Sequence, residues 1–277
     1  MRIEINKQTN DEEKRMTLQL SSNAVLYEKR DRVAWITLNR PEAMNARNSA
    51  LEVGVRETFT EATNDDDVLV VVMIGEGGRA FCAGGDLKER ATNEAGGDLF
   101  SRPSTGGYPL NCPKPVIAAI DGYALAGGMQ FSAQCDIRIA TQKSQFGMPE
   151  SRRSLTPVGS WDTPERYFPL GEALWMLLSG TNQITAERAY QLGFVQFLVP
   201  DRPALLEKAE WAAEELMMGA PLAVRALKYV AVRARFFPPE IAREYGRDLM
   251  AKVATSEDRL EGPRAFAEKR RPNWRMR

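Results

Sequence analysis

VIAAIDGYALAGGMQFSAQCDIRIATQKSQFGMPES, running from Val116 to Ser151, is the stretch on which the fold turns. Its first five residues, Val116 to Ile120, are a short β-branched apolar run bounded by Asp121-Gly122, the pattern of a buried strand ended by a turn. Ala126-Gly127-Gly128 then opens a segment, Met129 to Cys135, that predicts a helix, and Ile137 to Ala140 predicts a second strand. The stretch closes on Phe146-Gly147-Met148-Pro149-Glu150. A glycine pair at the mouth of a helix removes side chains where unpaired backbone N–H groups point outward. Such a terminus favours negative charge, whether phosphate, carboxylate or a developing oxyanion. Paired glycines between strand and helix are nevertheless more often tight-turn and packing devices.

A second copy changes that balance. Val68 to Ile74 predicts another buried strand, followed by Gly75-Glu76-Gly77-Gly78 and then by Arg79-Ala80-Phe81-Cys82-Ala83-Gly84-Gly85-Asp86. Both units read strand, turn, Ala-Gly-Gly, helix. Two of them in tandem bring two sets of backbone N–H groups together, which is how an oxyanion hole is built without side chains.

AFCAGGDL (Ala80 to Leu87), KPVIAAIDGYALAGG (Lys114 to Gly128) and QFGMPE (Gln145 to Glu150) resemble the crotonase, or enoyl-CoA hydratase/isomerase, family, from about Val33 to the C-terminus. The resemblance implies an α/β fold, a crotonase-like spiral of repeated β-β-α units over residues 23–200. A polar arm (1–22) precedes it, and a C-terminal helical oligomerisation segment (201–277) follows, packing subunits into a homotrimer or a hexamer that is a dimer of trimers. The implied substrate is an acyl-CoA thioester, with no separate cofactor because coenzyme A is part of the substrate.

By the same resemblance the N–H groups of Ala83 and Gly127 form the oxyanion hole, each worth roughly 3–4 kcal/mol to an enolate. Gly84, Gly85, Asp86, Gly128, Arg40 and Lys269 line the substrate and its CoA, with a structural part equally open to Asp86 and a solvated-loop role to Arg40. Glu150 is the proton-transfer base, its pKa expected to be raised by Phe146 and Met148. The family's other glutamate falls at Gln130, whose amide holds a water but cannot exchange protons with it. That leaves open double-bond isomerisation and single-glutamate hydration. It also leaves open other crotonase outcomes (retro-aldol lyase, thioester hydrolase, decarboxylase) and a catalytically weak acyl-CoA-binding scaffold. Where the family carries Pro-Gly-x-Gly-Gly, this chain reads Pro157-Val158-Gly159-Ser160-Trp161-Asp162, and Asp162 is a candidate second acid.

Composition narrows the chemistry further. The 277 residues contain no histidine, which removes every Ser-His and Cys-His nucleophile, His metal site and His base. Lys plus Arg and Asp plus Glu both number 37, so no global field favours nucleic acid or an anionic membrane. No metal is expected, Asp65-Asp66-Asp67 included. Cys82, Cys112 and Cys135 are odd in number and widely spaced, against a disulfide framework, and the first twenty residues lack an apolar signal core. A cytoplasmic protein is expected.

Elsewhere, Ala24 to Arg40 predicts a hairpin around Asp31-Arg32, with Val33, Trp35 and Thr37 on one face and Ala34, Ile36 and Leu38 on the other. Ser49 with Glu52 reads as a capping box for a helix bearing Leu51, Val55, Phe59 and Ala62. Ala91 to Asn111 reads as a loop or a weakly ordered helix flanking the pocket, with Phe100 and Tyr108 as candidate lining residues, and three or four amphipathic helices are expected from Pro203 onward.

Overall fold

The computed structural model describes residues 16–18, 20–92, 107–155, 166–181, 183–234 and 237–276. Strands β1 (Met16–Thr17), β2 (Val25–Arg30) and β3 (Val33–Leu38) form an antiparallel meander, so part of the expected polar arm is an edge strand. Helix α1 (Ser49–Asn64) crosses to β4 (Val70–Gly75), parallel to β3. There follow β5 (Ala80–Cys82), α2 (Leu87–Thr92), β6 (Val116–Ile120), β7 (Tyr123–Leu125), α3 (Gly127–Gln134), β8 (Ile137–Thr141) and β9 (Gln145–Gly147). Beyond a 3-10 turn at Glu150–Arg153 come α4 (Leu170–Ser179), β10 (Gln183–Thr185), α5 (Ala186–Gln191) and β11 (Phe197–Val199). Among the described residues beyond β11 come four helices: α6 (Arg202–Met217), α7 (Pro221–Ala234), α8 (Pro239–Thr255) and α9 (Asp258–Ala267).

The larger sheet has the order β1-β2-β3-β4-β6-β8-β11 and is parallel from β3 onward; the smaller has the order β10-β9-β7-β5. Three successive strand pairs, β4 and β5, β6 and β7, β8 and β9, each send their first member to the large sheet and their second to the small one. This is the repeated β-β-α spiral. The break between members is sharp: at Gly122, φ is 84° and an added Cβ would lie 2.1 Å from the Arg79 carbonyl oxygen, so only glycine fits.

The central strands are buried on both faces, which is why they read as continuous apolar runs. Ala34, Ile36 and Leu38 of β3 join Val71 and Met73 of β4 in one cluster, under α1. Val33 and Trp35 join Val70, Val72 and Ile74 in another, covered by Leu205, Ala209, Ala212 and Ala213 of α6. Fully buried Lys114 donates to the Ala62 and Asp65 carbonyls, both at 2.6 Å, closing the C-terminal end of α1.

One local expectation is corrected. The N-cap of α1 is Asn48, whose side chain accepts from Leu51 N–H at 2.9 Å, and Glu52 turns instead to Arg47. Half-buried Tyr108 stacks on Phe59 at 5.3 Å between ring centroids, so one face of its ring packs against the core. Phe100 lies outside the described residues.

Candidate functional site

Strands β5, β7 and β9 are parallel neighbours in the smaller sheet. Their C-terminal ends therefore lie along one edge, and the three family-like motifs follow directly: Ala83-Gly84-Gly85 after β5, Gly127 after β7 and Glu150 after β9. Neighbouring strands are about 4.8 Å apart, so the three segments form a short row. The carboxyl edge of a parallel sheet is where α/β proteins place ligands.

The first donor is not the one expected. Ala83 N–H donates to the Met44 carbonyl at 3.0 Å, so it is spent inside the protein. Arg47 N–H donates to Gly84 O at 2.7 Å and Asp86 N–H to Arg47 O at 2.9 Å, an isolated parallel bridge between Arg47 and Gly85. In the trans peptide unit joining Gly84 to Gly85 the C=O and the N–H point to opposite sides, and the C=O is the one turned to Arg47. The N–H of Gly85 thus faces away from the bridge, and it finds no acceptor among the described residues.

Gly127 is the first residue of α3, where backbone N–H groups have no intrahelical partner, and its N–H too finds no acceptor among the described residues. Ala126 before it is held at φ 51°, ψ −124°, a conformation that costs a non-glycine residue about 1–3 kcal/mol. Bonds from Ala126 N–H to Gly147 O (2.8 Å) and from Gln130 N–H to Ala126 O (3.0 Å) hold it there. The two loops touch: a Cβ on Gly84 would lie 3.3 Å from Gly127 N and 2.6 Å from the Ala126 Cβ. Gly128 packs harder still, its Cβ position being 1.9 Å from Cys82 O. Of the glycines named from sequence, Gly84 and Gly128 bring backbone segments together, while Gly85 and Gly127 present amides.

Gln130 lies one helical turn beyond Gly127 and on its face of α3. Glu150 opens its 3-10 turn, with Oε2 shielded from solvent and its carbonyl accepting Leu155 N–H at 3.1 Å. Asp86 caps α2, accepting Lys88 N–H at 3.0 Å and Glu89 N–H at 3.3 Å, and pairs with Arg40 at 3.0 Å. Burial alone would raise its pKa, but Arg40 and the two N–H groups hold it below the usual carboxylate range. Its part is structural. Arg40 also donates to Ala46 O at 2.6 Å. Lys269 follows α9, which packs on α8, so nothing places it beside the other residues within one chain. Asp162 lies outside the described residues.

The three cysteines are buried thiols; burial pushes Cys82 up to about 11 against the partial opposing pull of Arg47, and raises Cys112 and Cys135 as well. None is a nucleophile at neutral pH. No group of acidic or cysteine side chains that could hold a metal occurs among the described residues. Sequence reading missed Arg47 and the part that Asn45 plays in holding the first donor loop; only their place just after Arg40-Pro41 hinted at a role.

The enoyl-CoA hydratase/isomerase family model matches residues 28–277. An (E)-benzylidenesuccinyl-CoA hydratase of Thauera aromatica is 36% identical over 91% of this chain and 98% of its own length. A 2,3-dehydroadipyl-CoA hydratase of Escherichia coli is 34% identical over 91% and 99%. Among solved structures, an enoyl-CoA hydratase of Mycobacterium tuberculosis superposes with a TM-score of 0.83 at 36% identity, covering 92% of this chain and 100% of that one.

Proposed function

Since the chain belongs to the enoyl-CoA hydratase/isomerase family and is an acyl-CoA enzyme, we propose that it adds water reversibly across the double bond of a 2-enoyl-CoA. The observation that carries this reading is the pair of outward amides, Gly85 N–H and Gly127 N–H, on touching loops, with Glu150 following the neighbouring strand β9. The thioester oxygen accepts both N–H groups, so charge that develops there as the enolate forms meets two fixed dipoles. Gln130 holds the water. Glu150 takes a proton from that water as its oxygen bonds to the β-carbon, then returns the proton to the α-carbon, so one carboxylate balances the whole addition.

Gln130 also favours a second reading, movement of the double bond, in which Glu150 takes a proton from one carbon and returns it to another without water. Arg40 and, from a neighbouring subunit, Lys269 are assigned to the CoA phosphates. Self-association is proposed through the apolar stripe of α4, where Leu170, Leu174, Trp175 and Leu178 are exposed. Among the described residues no helix is long and apolar enough to cross a membrane.

The test is mass spectrometry of a panel of 2- and 3-enoyl-CoA thioesters in D2O, with native protein and Glu150→Gln. Gain of one water, lost in the variant, supports hydration. Deuterium entry or bond movement without water supports isomerisation. Activity that survives Glu150→Gln sinks the assignment of the base.

A further inference from the structure

Arg47 touches both donor loops at once. Its backbone brackets the first, donating to Gly84 O at 2.7 Å and accepting from Asp86 N–H at 2.9 Å. Its side chain reaches the second, where Nη1 donates to Gly127 O at 3.1 Å. The guanidinium fills the space beside Gly127: a Cβ there would lie 2.6 Å from Nη1 and 3.1 Å from the Arg47 Cδ. It is itself held from two further sides. Glu52 accepts from Nε at 2.6 Å, and the guanidinium carbon lies 4.1 Å from the centroid of the Phe131 ring, one helical turn along α3 from Gly127.

We infer that Arg47 is a positioning residue that sets the separation and angle of the Gly85 and Gly127 amides, with Glu52 and Phe131 fixing its guanidinium. The inference rests on the oxyanion-hole reading above. The physical ground is that a hydrogen-bond donor helps a developing oxyanion only while it stays aimed at one point. Gly85 and Gly127 belong to segments far apart in sequence, and glycine backbones resist displacement weakly. A planar, five-donor cation serves several acceptors in fixed directions; an ammonium does not. Glu52 has a cost attached to it, because its Oε2 is shielded from solvent with no hydrogen-bond partner among the described residues. Without Arg47 that buried carboxylate loses its counter-charge.

This second effect makes the test discriminating. Arg47→Met keeps the backbone bracket but loses the bond to Gly127 and leaves Glu52 uncompensated. Arg47→Met combined with Glu52→Met removes the stranded charge while still lacking that bond. Arg47→Lys, with a cation beside Glu52, supplies a further folded variant. Three properties are read in the full chain: the thermal midpoint, kcat and KM with but-2-enoyl-CoA, and the carbonyl stretch of the bound 13C-labelled thioester.

Positioning predicts that the double variant regains the midpoint lost by Arg47→Met yet keeps kcat about 10- to 100-fold down, with KM altered far less. The bound carbonyl should lose most of its shift to lower frequency in all three variants. Native kcat in the double variant, or an undiminished carbonyl shift in Arg47→Met, would overturn the inference while leaving the oxyanion hole intact. Absence of any shift in the native protein would overturn the oxyanion-hole reading and this inference with it.

Discussion

Asn45 Nδ2 donates to the carbonyl of Ala80 at 2.8 Å, joining the loop after β3 to the first residue of β5. The same amide donates to Glu76 O at 3.0 Å, and Oδ1 accepts from Arg40 N–H at 2.8 Å. The side chain is fully buried and the residue sits at φ 55°, which asparagine tolerates better than most. Because β5 leads into the Gly85 amide, this amide group is a strut for the candidate site. Asn45→Ala orphans two carbonyls and an N–H, and should cost roughly 3 kcal/mol or more in urea unfolding. Asn45→Asp should cost more at pH 7, where a carboxylate faces two carbonyl oxygens, and less at pH 4 relative to native. An Asn45→Asp protein as stable as native at pH 7 would disprove the strut.

Glycine substitutions should separate along the line the packing draws. Gly128→Ala puts a Cβ 1.9 Å from Cys82 O, a main-chain atom, so α3 must lift from β5. A loss of about 3 kcal/mol is expected, with kcat falling because Gly127 moves too. Gly171→Ala in the first turn of α4 meets nothing within 4 Å of its own chain and should stabilise by about 0.5–1 kcal/mol with kcat unchanged; since Gly171 shares a face with Leu174, Trp175 and Leu178, a rise in KM would mark it as part of the proposed subunit contact. Thermal melts and initial rates decide both.

Much of this architecture was legible because its cause is local. Strands β4 and β6 are buried on both sides and announce themselves as unbroken apolar runs; α3 begins where glycines end a strand. The donor register was not legible. Ala83-Gly84-Gly85 offers three successive amides, and which one faces outward depends on Met44 and Arg47, partners nearly forty residues away. The same holds for the cap of α1: Asn48 and Ser49 are both good caps, and the choice follows from the path of the loop. Arg47 carried no local signal because its role exists only once Gly84, Gly127 and Phe131 are assembled around it.

The buried thiols give the protein an alkaline weakness. Ordinary cysteines titrate near about 8.5. Burial holds Cys82 near 11 and raises Cys112 and Cys135 too. Below about pH 8.5 folded and unfolded chains both keep these protons. From there towards pH 11 the unfolded chain releases protons that the native one retains, so stability contributed by the protonated thiols is lost as pH rises. Urea midpoints should fall steadily from pH 8 to pH 10, less steeply in Cys135→Ala. At pH 8, maleimide should label native protein only as fast as it unfolds; rapid labelling of the folded protein would refute the burial argument.

Helix α4 carries Leu170, Leu174 and Leu178 at four-residue spacing, a single stripe, and Leu178 is 74% exposed with Trp175 beside it at 63%. If this stripe is where subunits meet, Leu178→Glu should lower the mass measured by sedimentation at micromolar concentration without altering the circular dichroism. If Lys269 serves a neighbour's CoA, KM should rise in the same variant. A native mass that equals one chain, or a variant that assembles normally, would remove α4 from the proposed interface.

Gln130 offers the most direct test of the chemistry, because one substitution supplies what the site lacks. It stands in the first turns of α3 on the face of Gly127, where the helix end favours negative charge. Gln130→Glu should therefore fold normally and place a second carboxylate opposite Glu150 across the held water. If the native enzyme adds water with Glu150 alone, the second acid-base group should raise hydration of a 2-enoyl-CoA by roughly tenfold or more. It should also add a new ionisation to the pH profile of kcat. If the native enzyme instead moves a double bond, the variant should gain a water-adding side reaction and lose isomerisation. A variant with unchanged rate and unchanged pH profile would mean that Gln130 does not face the reacting carbons, and the water would have to be held elsewhere.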